Sequence, residues 1–400
     1  MDSKSELVAG VEGRMSQLPD ELICHILSFL PTVESVKTIV LSKRWNKLWN
    51  SVNTLDIDYI RDFGGTLYVD FVKFVDGALS VHDWSNIKKF RLSCPGVFYG
   101  DDDYDRIIYV LPTSGCFSSL KSLNLLLLYQ YSPSIEKLIT NCCPVVEDLE
   151  IRGDIMLPHD ISIFNISAPN LKKLTVDFDL SIKGRSSNVL IKAPKLESLY
   201  FKRKHLPYSA YTLENPESLN SAVIDVSECL SWRANGVMTE LLAGLSGVKD
   251  LCIRAAFFET CNFPAAFSIL NKLELILYHN SYRKYVTRFL NKSPNLEYLV
   301  LELDNKYLQE EQSFTPPEFV PVCLSSHLKK IYMRGFSGRW GELEVLNYLL
   351  RYGEVLNDLA ISSHPTLGHR KEESLYKEIL QFPRASRTCE VKFLSSLLSS

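Results

Sequence analysis

The residues with the most chemistry to offer are eight histidines and ten cysteines, and their spacing gives them no shared task. The histidines (25, 82, 159, 205, 279, 327, 364 and 369) include no H-E-x-x-H and no ligand-spaced pair, so no metal site is expected. His364 and His369 share the polar stretch 362–371, which reads as a solvated loop. The cysteines (24, 94, 116, 142, 143, 229, 252, 261, 323 and 389) form no C-x-x-C pair and read as reduced, mostly buried thiols. Cys142-Cys143-Pro144 invites comparison with a reactive thiol, but a cysteine just ahead of a proline that recurs is better explained as a small buried residue. Asp101-Asp-Asp-Tyr-Asp105 is half of a calcium loop without its glycine or closing glutamate, and reads as a solvated acidic loop. Phe201-Lys-Arg-Lys-His205 is a short basic run, read as a solvated turn ahead of a phosphate or nuclear-import contact. There is no G-x-S-x-G, no glycine-rich phosphate loop and no G-x-G-x-x-G. No catalytic residue, cofactor or metal is therefore expected, and the chain reads as a binding protein.

Composition sets the frame for whatever is bound. Four hundred residues, 46% hydrophobic, can bury a large core, which excludes disorder over most of the length and suggests two or three domains. The formal charge of −3 supplies no field toward nucleic acid or an anionic membrane, so neither is an expected partner. The apolar stretch around 123–131 is far too short to span a bilayer. Met1-Asp-Ser-Lys-Ser-Glu6 opens no signal peptide, which with the reduced thiols points to the nucleus or the cytoplasm.

The middle of the chain repeats itself. Apolar-x-x-apolar-x-apolar follows a proline at Pro144–Ile151, Pro169–Val176, Pro194–Phe201 and Pro294–Leu301. Prolines 144, 169 and 194 are spaced by 25 residues, and 294 lies four such periods on. Weaker copies stand at Leu120–Leu125, Leu219–Ile224, Val248–Ile253 and Leu270–Leu275, with degenerate forms at Val52–Ile57 and Ile87–Leu92. That period and pattern are those of leucine-rich repeats. Each unit has one short strand and cannot cover its own apolar face, so neighbours stack into a curved parallel sheet. The alternative is a doubly wound α/β sheet. Alternate strand residues would face outward: Asp148, Glu150 and Arg152; Lys173, Thr175 and Asp177; Ser198, Tyr200 and Lys202; Asp250 and Arg254; Tyr298 and Glu302. From this mixed-charge, tyrosine-bearing set Arg152, Lys173, Asp177, Tyr200, Lys202, Arg254, Tyr298 and Glu302 are the candidate contacts to a target protein.

Residues 15–50 differ from the repeats. Pro19 at the first helical position, with Asp20 and Glu21 in the first turn, starts a helix that Pro31 ends. Its six apolar residues, Leu22, Ile23, Ile26, Leu27, Phe29 and Leu30, cover about 160° at 100° per residue, wider than one packing stripe needs. A second helix is expected over Val33–Val40 and a third after the N-cap Ser42, carrying Trp45, Leu48 and Trp49. Helices this short need a partner surface, either the following repeats or another protein.

Met15-Ser-Gln-Leu-Pro-Asp-Glu-Leu-Ile-Cys-His-Ile-Leu-Ser-Phe-Leu-Pro31, continuing to Val40-Leu-Ser-Lys-Arg-Trp-Asn-Lys-Leu-Trp49, resembles an F-box in the form found in plant proteins. The resemblance implies docking on a Skp-family adaptor and, through it, on the cullin of an SCF ubiquitin ligase. The residues it implies are Leu18, Pro19, Leu22, Ile26, Leu30, Leu41, Trp45 and Trp49, some of which must be internal core instead. At the other end, Leu328–Phe336, a helix over Glu342–Tyr352, Leu356–Ile361, a helix over Ser374–Phe382 and an edge strand over 383–393 make a strand–helix–strand–helix–strand unit. With its Val-Pro-x-Cys and Pro-Arg-Ala-Ser motifs this unit is similar to the FBD domain of plant F-box proteins, and would close the open end of the repeats. The expected α/β organisation is a tail (1–14), the F-box (15–50), a leucine-rich-repeat solenoid (51–310), an FBD domain (314–394) and a tail (395–400). The implied function is the substrate-recognition subunit of an SCF-type E3 ubiquitin ligase, non-catalytic itself. A recognition scaffold, or a small-molecule sensor that assembles no ligase, is the alternative.

Overall fold

The computed structural model describes residues 18–64, 66–94, 111, 115–157, 162–181, 188–205, 210–228, 237–255, 266–277, 282–303 and 319–394. The tails, the acidic run 101–105, His159, His279, Cys229 and Cys261 lie outside the described residues. The chain divides into two compact units, one of residues 1–171 with 178–184 and the other of 172–177 with 185–400.

The first unit opens with three short helices: α1 (Asp20–Leu27), α2 (Thr32–Lys37) and α3 (Lys43–Trp49). Pro19 and Pro31 stand one residue outside their helices, with ψ of 148° and 144°. The Pro19 carbonyl instead closes the first turn, accepting from the Leu22 and Ile23 N–H groups. The second helix is shorter than the pattern suggests and tightens into a 3₁₀ turn over Thr38–Leu41. Ser42 caps α3 as its position predicts, its hydroxyl accepting from Trp45 N at 3.3 Å. Next come β1 (Thr54–Asp58), α4 (Tyr59–Phe63), α5 (Tyr68–Val81), β2 (Lys89–Cys94), β3 (Ser122–Tyr131), α6 (Ser132–Lys137), β4 (Asp148–Met156) and β5 (Ile163–Ser167). β1 to β4 are parallel neighbours in chain order. Gly153 on β4 takes φ +110°, where a Cβ would sit 1.8 Å from the Leu127 carbonyl oxygen, so only glycine fits beside the β3 irregularity.

In the second unit the ladder runs in parallel through β6 (Lys173–Ser181), β8 (Ser198–His205), β10 (Ser221–Glu228), β11 (Asp250–Ala255), β12 (Lys272–Leu277) and β13 (Tyr298–Leu303). It continues without a break into β14 (Lys330–Phe336), β15 (Asp358–Ser363) and β16 (Glu390–Leu394). β7 (Asn188–Lys192) and β9 (Ala210–Glu214) pair separately, also in parallel. The helices of this unit are α7 (Val237–Gly244), α8 (Tyr282–Lys292), α9 (Val322–Ser326), α10 (Trp340–Tyr352) and α11 (His369–Leu380). This is the repeat architecture: mixed α/β, with a helical N-terminal module and a large parallel sheet.

The recurring prolines have one job. Each is the second residue of a turn whose fourth residue is the first inward apolar side chain: Val146 N donates to Cys143 O, Leu171 to Ala168, Leu196 to Ala193 and Leu296 to Ser293. Proline's fixed φ suits that place, and the residue before it is buried in all four. Cys143 is therefore a buried turn residue, and burial pushes its thiol well above the ordinary range. Just before most of these strands one carbonyl accepts two successive N–H groups from the next repeat, as Asn220 O does from Lys249 and Asp250, and Lys249 O from Asn271 and Lys272. Repeats are thus welded at the turn as well as along the strands.

Two local readings change. The basic run 201–205 is part of β8, not a turn: the two-residue strand period sends Phe201 and Arg203 inward and Lys202 out. His369 opens helix α11, leaving only His364 in the loop.

Candidate docking surfaces

Helices α1 to α3 pack against one another and against β1. Cys24 Sγ reaches the Leu48 carbonyl at 3.6 Å, Ser35 Oγ donates to Leu27 O at 3.0 Å, and Thr32 Oγ1 accepts from Asp56 N at 2.8 Å. Arg44 ties the starts of α1 and α3 together, donating to Leu18 O at 2.6 Å and from Nε to Asp20 Oδ1 at 2.8 Å. Burial, then the charges of Asp20 and Glu21, raises the Cys24 thiol, which suits a packing role.

This packing divides the residues implied by the motif. Trp45 and Trp49 are buried with Ile23, Leu27 and Leu48, and Trp49 meets the His82 ring edge-on at 4.4 Å. They are core residues of this chain. Leu22, Ile26, Leu30 and Leu41 are exposed, as is Pro19, while Leu18 is half-buried. Two larger exposures join them, Phe29 at 74% and Val40 at 84%. The His25 ring stands edge-on to Phe29 at 4.8 Å. Neither Phe29 nor Val40 was in the implied set; for Phe29 the signal was the 160° apolar arc, too wide for the one side that packs.

The outward rows of the strands form the other surface. In the first unit Arg91 bridges Asp56 and Asp58 at 2.8 Å each, and Arg61 joins Asp56 at 3.0 Å. Burial alone would raise the Asp58 carboxyl, but the Arg61 backbone N–H and the Arg91 guanidinium hold it below the ordinary carboxylate range. Arg152, on the same unit, is exposed and paired with Glu150.

In the second unit register puts the first outward position of successive strands in a row: Lys173, Ser198, Ser221, Asp250, Lys272, Tyr298, Lys330 and Asp358. The next row reads Thr175, Tyr200, Val223, Cys252, Glu274, Val300 and Tyr332, and the third Lys202, Asp225, Arg254, Ile276, Glu302 and Arg334. Asp177 is half-buried, two residues past Thr175. The predicted residues of this unit thus share a face without forming one cluster, since Tyr200 and Tyr298 stand four strand spacings apart, about 19 Å. Several neighbours are committed to one another: Arg334 to Glu274 at 2.9 Å and Glu302 at 3.7 Å, and Lys330 over the Tyr298 ring at 5.4 Å. Lys272, Glu274 and Arg334 were missing from the predicted contacts, although strand phase alone places them. Among the described residues no three histidine, cysteine or acidic side chains come together as a metal site. Nor is any described helix long and apolar enough to cross a membrane.

Family models match at both ends of the chain, the F-box domain over residues 15–56 and FBD over 316–361. The F-box/FBD/LRR-repeat protein At2g26030 of Arabidopsis thaliana is 27% identical over 94% of this chain and 98% of its own length. The F-box/FBD/LRR-repeat protein At5g56420 of the same plant is 27% identical over 95% and 98%. The chain carries an F-box domain and an FBD domain, and along most of its length it is similar to plant F-box/FBD/LRR-repeat proteins. Its F-box is the three-helix module with the exposed apolar face, and its FBD match covers β14, α10 and the start of β15, which continue the repeat ladder. The FBD-associated F-box protein At5g22730 of Arabidopsis thaliana, 27% identical over 95% of this chain and 94% of its own, has the same two names in its description.

Proposed function

We propose that this protein is the substrate-recognition subunit of an SCF-type E3 ubiquitin ligase. The F-box (15–50) docks on a Skp-family adaptor and through it on a cullin. The repeats (51–310) hold a target protein, and the FBD domain (314–394) closes the array. The protein performs no bond chemistry itself. It raises the effective concentration of target lysines near a charged conjugating enzyme. We place it in the nucleus or the cytoplasm, where such ligases and reduced thiols belong together.

The observation that carries this reading is the apolar face of Leu22, Ile26, Phe29, Leu30, Val40 and Leu41, left in water by helices whose other side is already packed. Exposed apolar patches of this density mark protein interfaces. The test is co-expression with a Skp-family adaptor and size-exclusion chromatography. One-to-one co-elution is expected, and Leu22→Asp with Phe29→Asp should abolish it without moving the melting temperature. Protein that elutes alone with several adaptor paralogues overturns the reading. Trp45→Ala is a poor probe, because removing a buried indole costs about 3–5 kcal/mol of fold stability.

A further inference from the structure

We propose that the outward face of β8 to β12 holds a socket for one aromatic side chain of the target protein; this rests on the reading that the repeats bind a target. The socket follows from register. Along the second outward row the side chains run large, small, small, large: Tyr200 opposes Val223, Val223 opposes Cys252, and Cys252 opposes Glu274. Tyr200 and Glu274 stand three strand spacings apart, about 14 Å, with only a valine and a thiol between them. The result is an open hollow of about 310 Å³.

Its charge says what fits. Two acids, Asp250 and Glu274, and two bases, Arg254 and Lys272, line the hollow, so its charge is balanced. Glu274 is already held by Arg334 at 2.9 Å. A charged occupant would leave one of these groups opposed, whereas an uncharged one leaves the balance intact. The lining favours a ring in particular. Cys252 offers a sulfur at the floor and Tyr200 a ring wall, and both pair well with aromatic groups. Arg254, two residues past Cys252 on the same face, hydrogen-bonds the Cys252 thiol and lies 3.9 Å from Asp225. A ring laid against that guanidinium gains a cation–π contact without needing a further acid. The hollow is too open to bury most of a free small molecule, so the ring belongs to a partner that the rest of the face also holds.

The test uses the full chain with its adaptor, immobilised and panned with a phage-displayed library of 12-residue peptides. Selected peptides should share a tryptophan, tyrosine or phenylalanine, and changing it to alanine should weaken binding at least tenfold. Val223→Arg, which fills the hollow from its floor, should do the same, and a bound peptide should slow alkylation of Cys252. Should Val223→Arg lower the melting temperature, Arg254→Gln at the rim takes its place, with a loss of several-fold. Peptides without a shared aromatic residue, or binding indifferent to these variants, overturn the proposal. So does N-acetyl-tryptophanamide protecting Cys252 as well as the peptides do, since that marks a small-molecule site. Both variants should still co-elute with the adaptor; loss of co-elution by the unmodified chain strikes the F-box reading instead.

Discussion

His82 is a buried ring at the C-terminal end of α5, edge-on to Trp49 of the F-box. Burial pushes its pKa down to about 4, against the weaker upward pulls of the Asn50 backbone and Asp83. The folded state therefore keeps the ring neutral where the unfolded chain, titrating near 6.5, takes up a proton. Between those two values the unfolded state binds more protons, so its stabilisation is complete above about pH 6.5 and drains away as pH falls toward 4. The first unit should lose about 2 kcal/mol between pH 7 and pH 5, read from the urea midpoint of tryptophan fluorescence. His82→Phe keeps a ring against Trp49 and should flatten that slope; an unchanged slope would remove His82 from the account. Nothing in the sequence marked this histidine. Its burial comes from the meeting of α5 with α3, which residue spacing does not report. The chemistry that spacing does exclude, paired histidines and C-x-x-C ligands, was legible because it depends on short intervals alone.

At the scale of elements, the strength of the repeat lies in its turns. Where the turn reads Pro-Asn-Leu, the asparagine amide reaches back one repeat: Asn295 donates to Ser268 O at 2.7 Å and Asn170 to Pro144 O at 3.1 Å. Asn295→Ala removes that rung and should cost about 1 kcal/mol, seen as faster amide exchange in the turn at 267–270 and a lower urea midpoint. Unaltered exchange there would mean that the backbone bonds alone hold the turn. The strands were legible because two signals coincide at 25-residue intervals, a fixed proline and an inward apolar triplet. Even the degenerate copies at 52–57 and 87–92 became β1 and β2. The short helices were less so. The first two open on the backbone carbonyl of a proline, which shifts each start by one residue, and α2 tightens into a 3₁₀ turn that apolar periodicity cannot distinguish. The F-box was recognisable as a motif, yet its division into core and surface was not. Trp45 and Leu41 are both large and apolar, and only the packing of α3 on α1 decides that the first is inside and the second outside.

At the scale of the molecule, a parallel repeat array has an end, and an end exposes an apolar edge. In the second unit the ladder passes from β13 into β14, β15 and β16, with Met333, Phe336, Leu346 and Leu349 buried behind it. Glu342, itself buried, anchors this stretch: its carboxylate accepts from Ser337 N at 3.0 Å and Arg339 N at 2.9 Å, holding the turn from β14 into α10. The C-terminal segment is therefore continuous with the repeats in hydrogen bonding and in core, and removing it uncovers the edge of β13 that pairs with β14. A chain ended at residue 326 should lose the cooperative melting of the second unit and aggregate, because β13 becomes an unpaired apolar edge strand. Adaptor co-elution, which on the proposed function needs only the F-box of the first unit, should survive in whatever remains soluble. If instead the truncated chain melts as the full one does, by circular dichroism and by amide exchange in β11 to β13, the segment is an appended module with its own partner. The ladder from β13 to β16 would then owe its order to the segment's own core and contribute nothing to the repeats.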